Sequence, residues 1–284
     1  MSYLSPRRPE DAFKALAEGE CRILAGGTDV YPALRDRPAS DNLLDISRIE
    51  EFRTIARSGA DWRIGAAVTW SQVNRAALPP LFAGLQQAGR EIGSLQIQNS
   101  GTLAGNLCNA SPAADGVPAL LVLDASVEIS SLAGKRLVKL ADFITGARRT
   151  TLGRGEMVSA IVIPDGPGRS AFAKLGARRY LVISIVSAAA MLDVDETGGI
   201  VKTARLAIGS CSPVALRLET LEAELAGARL DGAEWASMVE RRHLHRLSPL
   251  DDVRGDRAYR LEAALQMTRR LLESLAGQIR GDRP

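Results

Sequence analysis

The stretch from Gln96 to Asp115 constrains this chain more than any other. Small residues and side-chain amides or hydroxyls fill most of it, and few of its residues can build a core. Gly101 and Gly105 allow tight backbone folding and the close approach of a ligand. Thr102, Asn106, Asn109 and Ser111 supply neutral hydrogen-bonding groups, and Asp115 is its only charge. A long loop between strongly apolar flanks is uncommon unless it is functional. The stretch therefore reads as a backbone cradle for a polar, phosphorylated ligand, with an ordinary irregular connection as the bland alternative.

A second glycine turn lies earlier. Cys21 to Ala25 reads as a short strand, and Gly26-Gly27-Thr28-Asp29 follows at once. Two glycines and a threonine after a strand can form a nest of amide N–H groups that binds phosphate oxygens. No lysine follows the glycines, so this is not a Walker A loop. Taken alone, the segment also reads as a plain turn.

The 284 residues suffice for two domains or one large one, and 46% hydrophobic with 24% charged residues is ordinary globular usage. The net charge of +3 is spread along the chain and only 4% of residues are aromatic, which argues against nucleic acid and anionic membranes as partners. The N-terminus has no apolar segment after a basic start, and no run of about 18 apolar residues occurs, so neither a signal peptide nor a membrane span is expected. Cys21, Cys108 and Cys211 are isolated and odd in number, as in a reducing cytoplasm. They cannot supply the four thiolates of an iron–sulfur cluster.

Periodicity and turn residues predict three units. In the first, to about residue 55, a helix over Glu10–Glu18, the strand Cys21–Ala25, a short helix from Tyr31 and the strand Asn42–Ile46 make a small βα module. In the second, strands at Arg53–Ala56 and Trp62–Val68 precede a helix capped by Thr69 and stopped by Pro79-Pro80. Leu81, Leu85, Ala88 and Ile92 share the next helical face, Pro118–Leu123 is helical, and Val127–Ser130, Arg136–Leu140 and Met157–Ile163 are strands. Asp165-Gly166-Pro167-Gly168 reads as a linker. Its match to G-x-G-x-x-A through Ala171 is discounted, because a proline separates the glycines and no helical periodicity follows. In the third unit, Ile183–Val194 and Ile200–Gly209 flank a hairpin turn at Glu196-Thr197-Gly198-Gly199. Helices follow at Leu218–Leu225, around Trp235–Val239, and over Tyr259–Ile279, the longest. His243 and His245, among Arg241, Arg242 and Arg246, read as a solvated basic helix end. They lack the carboxylates or cysteines of a metal site.

Leu24 to Asp29, Gln96 to Asn99, Thr102 to Asn106 and Ala110 to Asp115 together resemble the FAD-binding medium subunit of molybdenum hydroxylases, the xanthine dehydrogenase and carbon monoxide dehydrogenase family. Gly155 to Val158, Phe172 to Arg179, and Asp252-Val253-Arg254-Gly255 before Tyr259-Arg260 continue the match in order, nearly to the end of the chain. The resemblance implies an α+β fold. A two-subdomain FAD-binding domain of the PCMH type would span 1–168, with subdomains of about 1–55 and 56–168. A C-terminal domain over 169–284, a small antiparallel sheet plus helices, would follow the carbon monoxide dehydrogenase flavoprotein. FAD is expected to bind non-covalently, since the histidine that carries covalent FAD in related folds has no counterpart in the early glycine loop.

By resemblance, Ile23, Leu24, Ala25, Gly26, Gly27, Thr28, Asp29 and Val30 match the pyrophosphate loop. Thr102, Leu103, Ala104, Gly105 and Asn106 match the second cradle, and Asp115 a carboxylate that contacts the cofactor. Ile92, Val158 and Lys174 match positions near the flavin ring. Read without the family, Asp115 is a candidate helix N-cap and Lys174 a strand lysine facing solvent. As a cation beside the ring, Lys174 would raise the flavin potential. Leu95 and Gln98 stand where arginines are common in the family, and Ala104 where glycine is frequent.

The implied function is electron transfer. Electrons from substrate hydroxylation at molybdopterin on a large partner subunit would pass through two-iron two-sulfur clusters on a small one. They would leave through this chain to NAD+ or another acceptor, with no acid–base residue needed here. Two rivals stay open. A self-sufficient flavin oxidoreductase needs a further Ser, Tyr, His or Arg constellation in the C-terminal half, and none is evident. A scaffold that has lost FAD is kept in play by Leu95, Gln98 and Ala104.

Overall fold

The computed structural model describes residues 2–34, 42–195, 199–230 and 235–281. The Glu196-Thr197-Gly198 part of the expected hairpin turn lies outside them. Strands β1 (Tyr3–Leu4), β2 (Cys21–Leu24) and β3 (Asn42–Asp45) form a parallel sheet in the order β1-β3-β2. The helix Pro9–Glu18 leads from β1 to β2 and buries Ala12, Phe13 and Leu16 on one stripe. Pro9 stands in its first turn, where a missing N–H costs nothing.

Strands β4 (Ile55–Ser58), β5 (Asp61–Gly65), β6 (Ser126–Ser131) and β7 (Gly134–Lys139) build an antiparallel sheet with a later strand, β10 (Met157–Pro164). Its order is β4-β5-β10-β6-β7, and the ribbon β8 (Ile144–Gly146) with β9 (Arg149–Thr150) precedes β10. The central position of β10 explains its nearly continuous apolar sequence, since Met157 to Ile161 are all buried. Glu156, just before β10, accepts from Arg136 on β7 twice at 2.8 Å and from the Gly153 N–H at 2.7 Å. The Arg136 guanidinium holds its carboxyl down at about 2. Thr69 caps the helix Trp70–Arg75 in a full capping box with Gln72, as its sequence position predicts.

A third, antiparallel sheet runs β11 (Arg169–Leu175), β12 (Val186–Val194), β13 (Val201–Gly209) and β14 (Leu216–Arg217) in sequence order. A strand, not a helix, thus follows Gly168. The long helix Arg257–Gly281 packs on β11 and β12, and Glu219–Leu225 packs on β13. Their core contains Ala188, Ala190, Leu206, Ile208, Leu221, Leu265 and Leu272. Ala189, which points to the opposite face of β12, is also buried, so the alanine run marks a strand covered on both sides.

Contacts group the chain into two compact units that are interleaved in sequence. One comprises Met1–Ala76, Gly93–Ala110 and Asp124–Asp165; the other comprises Ala77–Ile92, Ser111–Leu123 and Gly166–Pro284.

Two expectations change. The stretch 96–115 is not a loop: it holds the helices Leu95–Ser100 and Leu103–Asn109, capped by Ser94 and Thr102. Leu103, Ala104 and Leu107 are buried core residues. The polar composition that suggested a loop belongs largely to caps and helix ends. The second correction concerns His243, which is buried rather than solvated. It lies in the 3-10 turn Arg241–Leu244, accepts the Glu240 N–H at Nδ1 (3.0 Å) and meets Glu224 at Nε2 (3.1 Å). His245 is exposed. The flanking arginines are paired, Arg242 with Glu224 and Glu240, Arg246 with Glu219 and Arg241 with Glu262.

Candidate functional site

In the first unit, β2 ends at the buried Leu24 and the chain turns through Ala25 to Asp29 into the helix Val30–Leu34. Ile23 is held in β2 opposite Leu44 of β3. Gly27 takes φ +70°, and a side chain there would also run into the Tyr31 ring. The carbonyls of Gly27 and Asp29 accept from the N–H groups of Tyr31 (3.0 Å) and Ala33 (3.2 Å). The amides of Thr28 and Asp29 therefore precede the first bonded turn, at its positive end.

The two glycine stretches, separate in sequence, touch here. A Cβ added to Gly26 would lie inside the Ser100 carbonyl, and one on Gly101 would come within 3.2 Å of Thr28 Oγ1. Asn109 Nδ2 donates to Asp29 Oδ1 at 2.6 Å, and Arg148 in turn holds Asn109 through its carbonyl (3.1 Å) and its side chain.

In the second stretch, Gly105 N–H goes to Thr102 Oγ1 (3.0 Å), Asn106 N–H to the Thr102 carbonyl (3.1 Å) and Leu103 N–H to the Val68 carbonyl (3.1 Å). These amides are engaged within the protein, and Leu103 and Ala104 face the core. What the stretch offers a ligand is Asn106 Oδ1, buried and without a hydrogen-bond partner among the described residues. Leaving such an acceptor unmatched costs about 1–3 kcal/mol, which a ligand hydroxyl or N–H would relieve. Helical backbone at Ala104 also removes any conformational penalty for its methyl group. Val158, 4% exposed, pairs with Ile129 in the sheet at a ladder shift, and the helix Leu103–Asn109 packs on its strand. Turn amides for phosphate oxygens and a carboxamide for a hydroxyl form a donor and acceptor set that fits FAD.

In the second unit, Lys174 on β11 does not face solvent. Its side chain is 8% exposed, and Nζ donates to Asp115 Oδ2 at 2.8 Å and to the Glu91 carbonyl at 3.1 Å. Asp115 precedes the helix Gly116–Leu121 but caps nothing; its Oδ1 accepts from Ser184 Oγ at 2.5 Å. Burial pushes the Asp115 carboxyl up from its ordinary value, against the opposing pull of the Lys174 ammonium and the Ser184 hydroxyl. The lone cation read from the sequence is thus half of a buried ion pair, which weakens its field at a distance.

The helix Ala83–Glu91 fixes the Glu91 carbonyl. It is pinned to β11 by Gly84 N–H to Ser170 Oγ (2.9 Å) and by Phe172 N–H to Gln87 Oε1 (2.7 Å). Ile92, half-buried, directly follows Glu91, so the backbone beside it meets the Asp115–Lys174 pair through the Glu91 carbonyl. Ser184 and Ser100 were missed, because each acts across the fold, on Asp115 and Gly26, and no local spacing marks them; Tyr31, four residues after Gly27, reads from the sequence only as the start of a helix. Leu95 is 64% exposed and Gln98 is half-buried.

Residues 1–166 match the FAD binding domain in molybdopterin dehydrogenase, and residues 171–275 match the CO dehydrogenase flavoprotein C-terminal domain. The chain is 35% identical over 215 residues to the nicotinate dehydrogenase FAD-subunit of Eubacterium barkeri, covering 73% of this chain and 72% of that one. It is 30% identical to the xanthine dehydrogenase FAD-binding subunit of Escherichia coli O157:H7, covering 95% and 94%. Among solved structures, quinoline 2-oxidoreductase from Pseudomonas putida 86 superposes with a TM-score of 0.88 at 28% identity, covering 98% of this chain and 97% of that one. Carbon monoxide dehydrogenase from Hydrogenophaga pseudoflava gives 0.86 at 26% identity, covering 97% and 96%. With both domain matches and full-length relatives in agreement, the chain belongs to the FAD-binding medium subunits of the molybdenum hydroxylases, oxidoreductase subunits of the xanthine and carbon monoxide dehydrogenase type.

Proposed function

We propose that this chain is the FAD-binding electron-transfer subunit of a multi-subunit molybdopterin hydroxylase. It works with a molybdopterin-bearing large chain and a small chain carrying two-iron two-sulfur clusters, and delivers electrons to NAD+ or another acceptor. The observation that carries this reading is the meeting of the Gly26–Asp29 turn with Ser100, Gly101 and Asn109, in a unit that also holds the unmatched Asn106 Oδ1. Bound FAD supplies the two-electron redox chemistry. The residues of the chain bind and orient it: the amides at Gly27, Thr28 and Asp29 take phosphate oxygens, and Asn106 accepts from a hydroxyl. Val158 in the first unit, and Ile92, Lys174 and Asp115 in the second, are the positions that the family resemblance assigns to the flavin. We take residues 1–168 as the FAD-binding domain and 169–284 as the C-terminal one. Three free cysteines suit the cytoplasm.

The purified chain is expected to hold FAD yet leave purines, aldehydes and nitrogen heterocycles unoxidised. Co-expression with the molybdopterin and iron–sulfur chains is expected to make the flavin band bleach on adding substrate. Rapid substrate oxidation by the chain alone, followed by absorbance, would contradict this division of labour and favour a self-sufficient enzyme.

A further inference from the structure

We propose that Arg260 is a positioning residue that holds the Asp115–Lys174 pair in place, and that the Asp252-to-Arg260 segment thereby tunes the bound flavin. The proposal rests on the reading that this pair lies at the cofactor.

Arg260 is 4% exposed, an unusual burial for a guanidinium, in the first turn of the helix Arg257–Gly281. It donates to four acceptors. Nη1 reaches the carbonyls of Ile185 (2.6 Å) and Ser210 (3.2 Å), Nε reaches the Gly255 carbonyl (3.3 Å) and Nη2 reaches Asp252 Oδ1 (2.7 Å). Two of these acceptors lead directly to Asp115. Ile185 directly follows Ser184, whose hydroxyl holds Asp115 Oδ1 at 2.5 Å. Ser210, held at φ +64°, donates its N–H to the Pro112 carbonyl at 3.1 Å, and Pro112 lies just upstream of Asp115.

One planar cation therefore bonds both the segment that follows Ser184 and the segment that holds the Pro112 carbonyl, two of the supports around Asp115 besides Lys174. Only arginine carries donors in a rigid fork able to serve several carbonyls at once; a lysine ammonium at the same place would reach fewer of them. Asp252 supplies the countercharge, and is itself held by Arg254 through its N–H (2.8 Å) and guanidinium (2.9 Å). A motif whose residues lie far along the chain from Asp115 and Lys174 is thus wired to them by hydrogen bonds within one unit.

The test reconstitutes the full chain with FAD and measures FAD affinity, flavin midpoint potential and visible spectrum, with thermal melting as the folding check. Lys174→Met serves as the reference. No FAD binding by the unaltered chain, or an unchanged potential in folded Lys174→Met, defeats the reading beneath the proposal. Given both, Ser184→Ala and Arg260→Lys are each expected to weaken FAD binding about tenfold and to shift the potential in the same direction. In the Ser184→Ala background, Arg260→Lys should add little further shift. Fully additive shifts, or an unchanged potential in folded Arg260→Lys, overturn the proposal. Should Arg260→Lys fail to fold, Asp252→Ala removes the acceptor of Nη2, along with the two contacts to Arg254, and leaves the carbonyl contacts of Arg260 in place; a smaller shift of the same sign supports the proposal, and no shift overturns it.

Discussion

Replacing Gly26 by alanine is expected to weaken FAD binding by about ten- to a hundredfold. The added methyl would occupy the place of the Ser100 carbonyl, a backbone group that cannot swing aside as a side chain can. Overpacking of this kind costs about 1–3 kcal/mol, and about 1.4 kcal/mol is a factor of ten in affinity. A free chain can escape the strain by parting the two stretches, whereas a bound state that needs them together cannot, so the cost is expected to fall on binding. Gly105→Ala is expected to do less, since its Cβ would press only on Thr102 Oγ1 at 2.9 Å. Gly19→Ala, with nothing within 4 Å, serves as the neutral control. Fluorescence titration with FAD measures all three, and an unaltered affinity in Gly26→Ala would show that the meeting of the stretches has no part in binding.

Lys174→Met is expected to destabilise the fold by about 3–5 kcal/mol near neutral pH, because it leaves the Asp115 carboxylate buried without its partner. The Asp115 carboxyl, already raised by burial, rises further when the ammonium is removed. A group whose pKa is higher in the folded state than in the unfolded one stabilises the fold most below the unfolded value, about 3.9 for aspartate. The deficit should therefore be small in acid and grow as pH rises through the raised folded value. Lys174→Met with Asp115→Leu removes both charges and should recover most of the loss, since a buried pair replaced by apolar groups is often neutral. Urea melts across pH give the answer; equal losses at all pH values, or a double variant no better than the single, would refute the buried-pair account.

Local chemistry made much of this fold legible. The runs at Ile183–Val194 and Ile200–Gly209 announce β12 and β13, and Thr69 announces a cap that the structure contains. The glycine turn after Cys21–Ala25 reads correctly because Gly27 has a left-handed backbone that favours glycine. The short helices within 96–115 hid behind their own caps: Ser94 and Thr102 look like loop residues until the buried Leu103 and Leu107 are seen one turn apart. Long-range polar partners left no trace. Lys174 and Asp115 are 59 positions apart and Ser184 lies 69 from Asp115, separations at which no periodicity operates. His243 was misjudged for the same reason, its acidic partner Glu224 coming from an earlier helix. The interleaving of the two units likewise follows from tertiary packing of Ala77–Ile92 and Ser111–Leu123, not from any linker-like sequence.

Whether this chain is built around FAD is tested most directly by saturating the purified protein with cofactor, removing the excess, denaturing it and chromatographing the supernatant. The glycine stretches, Asn106 Oδ1 and the absence of histidine from the early turn predict intact FAD in the supernatant and no flavin left on the precipitated protein. Release of FMN alone, flavin attached to the polypeptide, or no retention after exposure to saturating FAD would contradict the account.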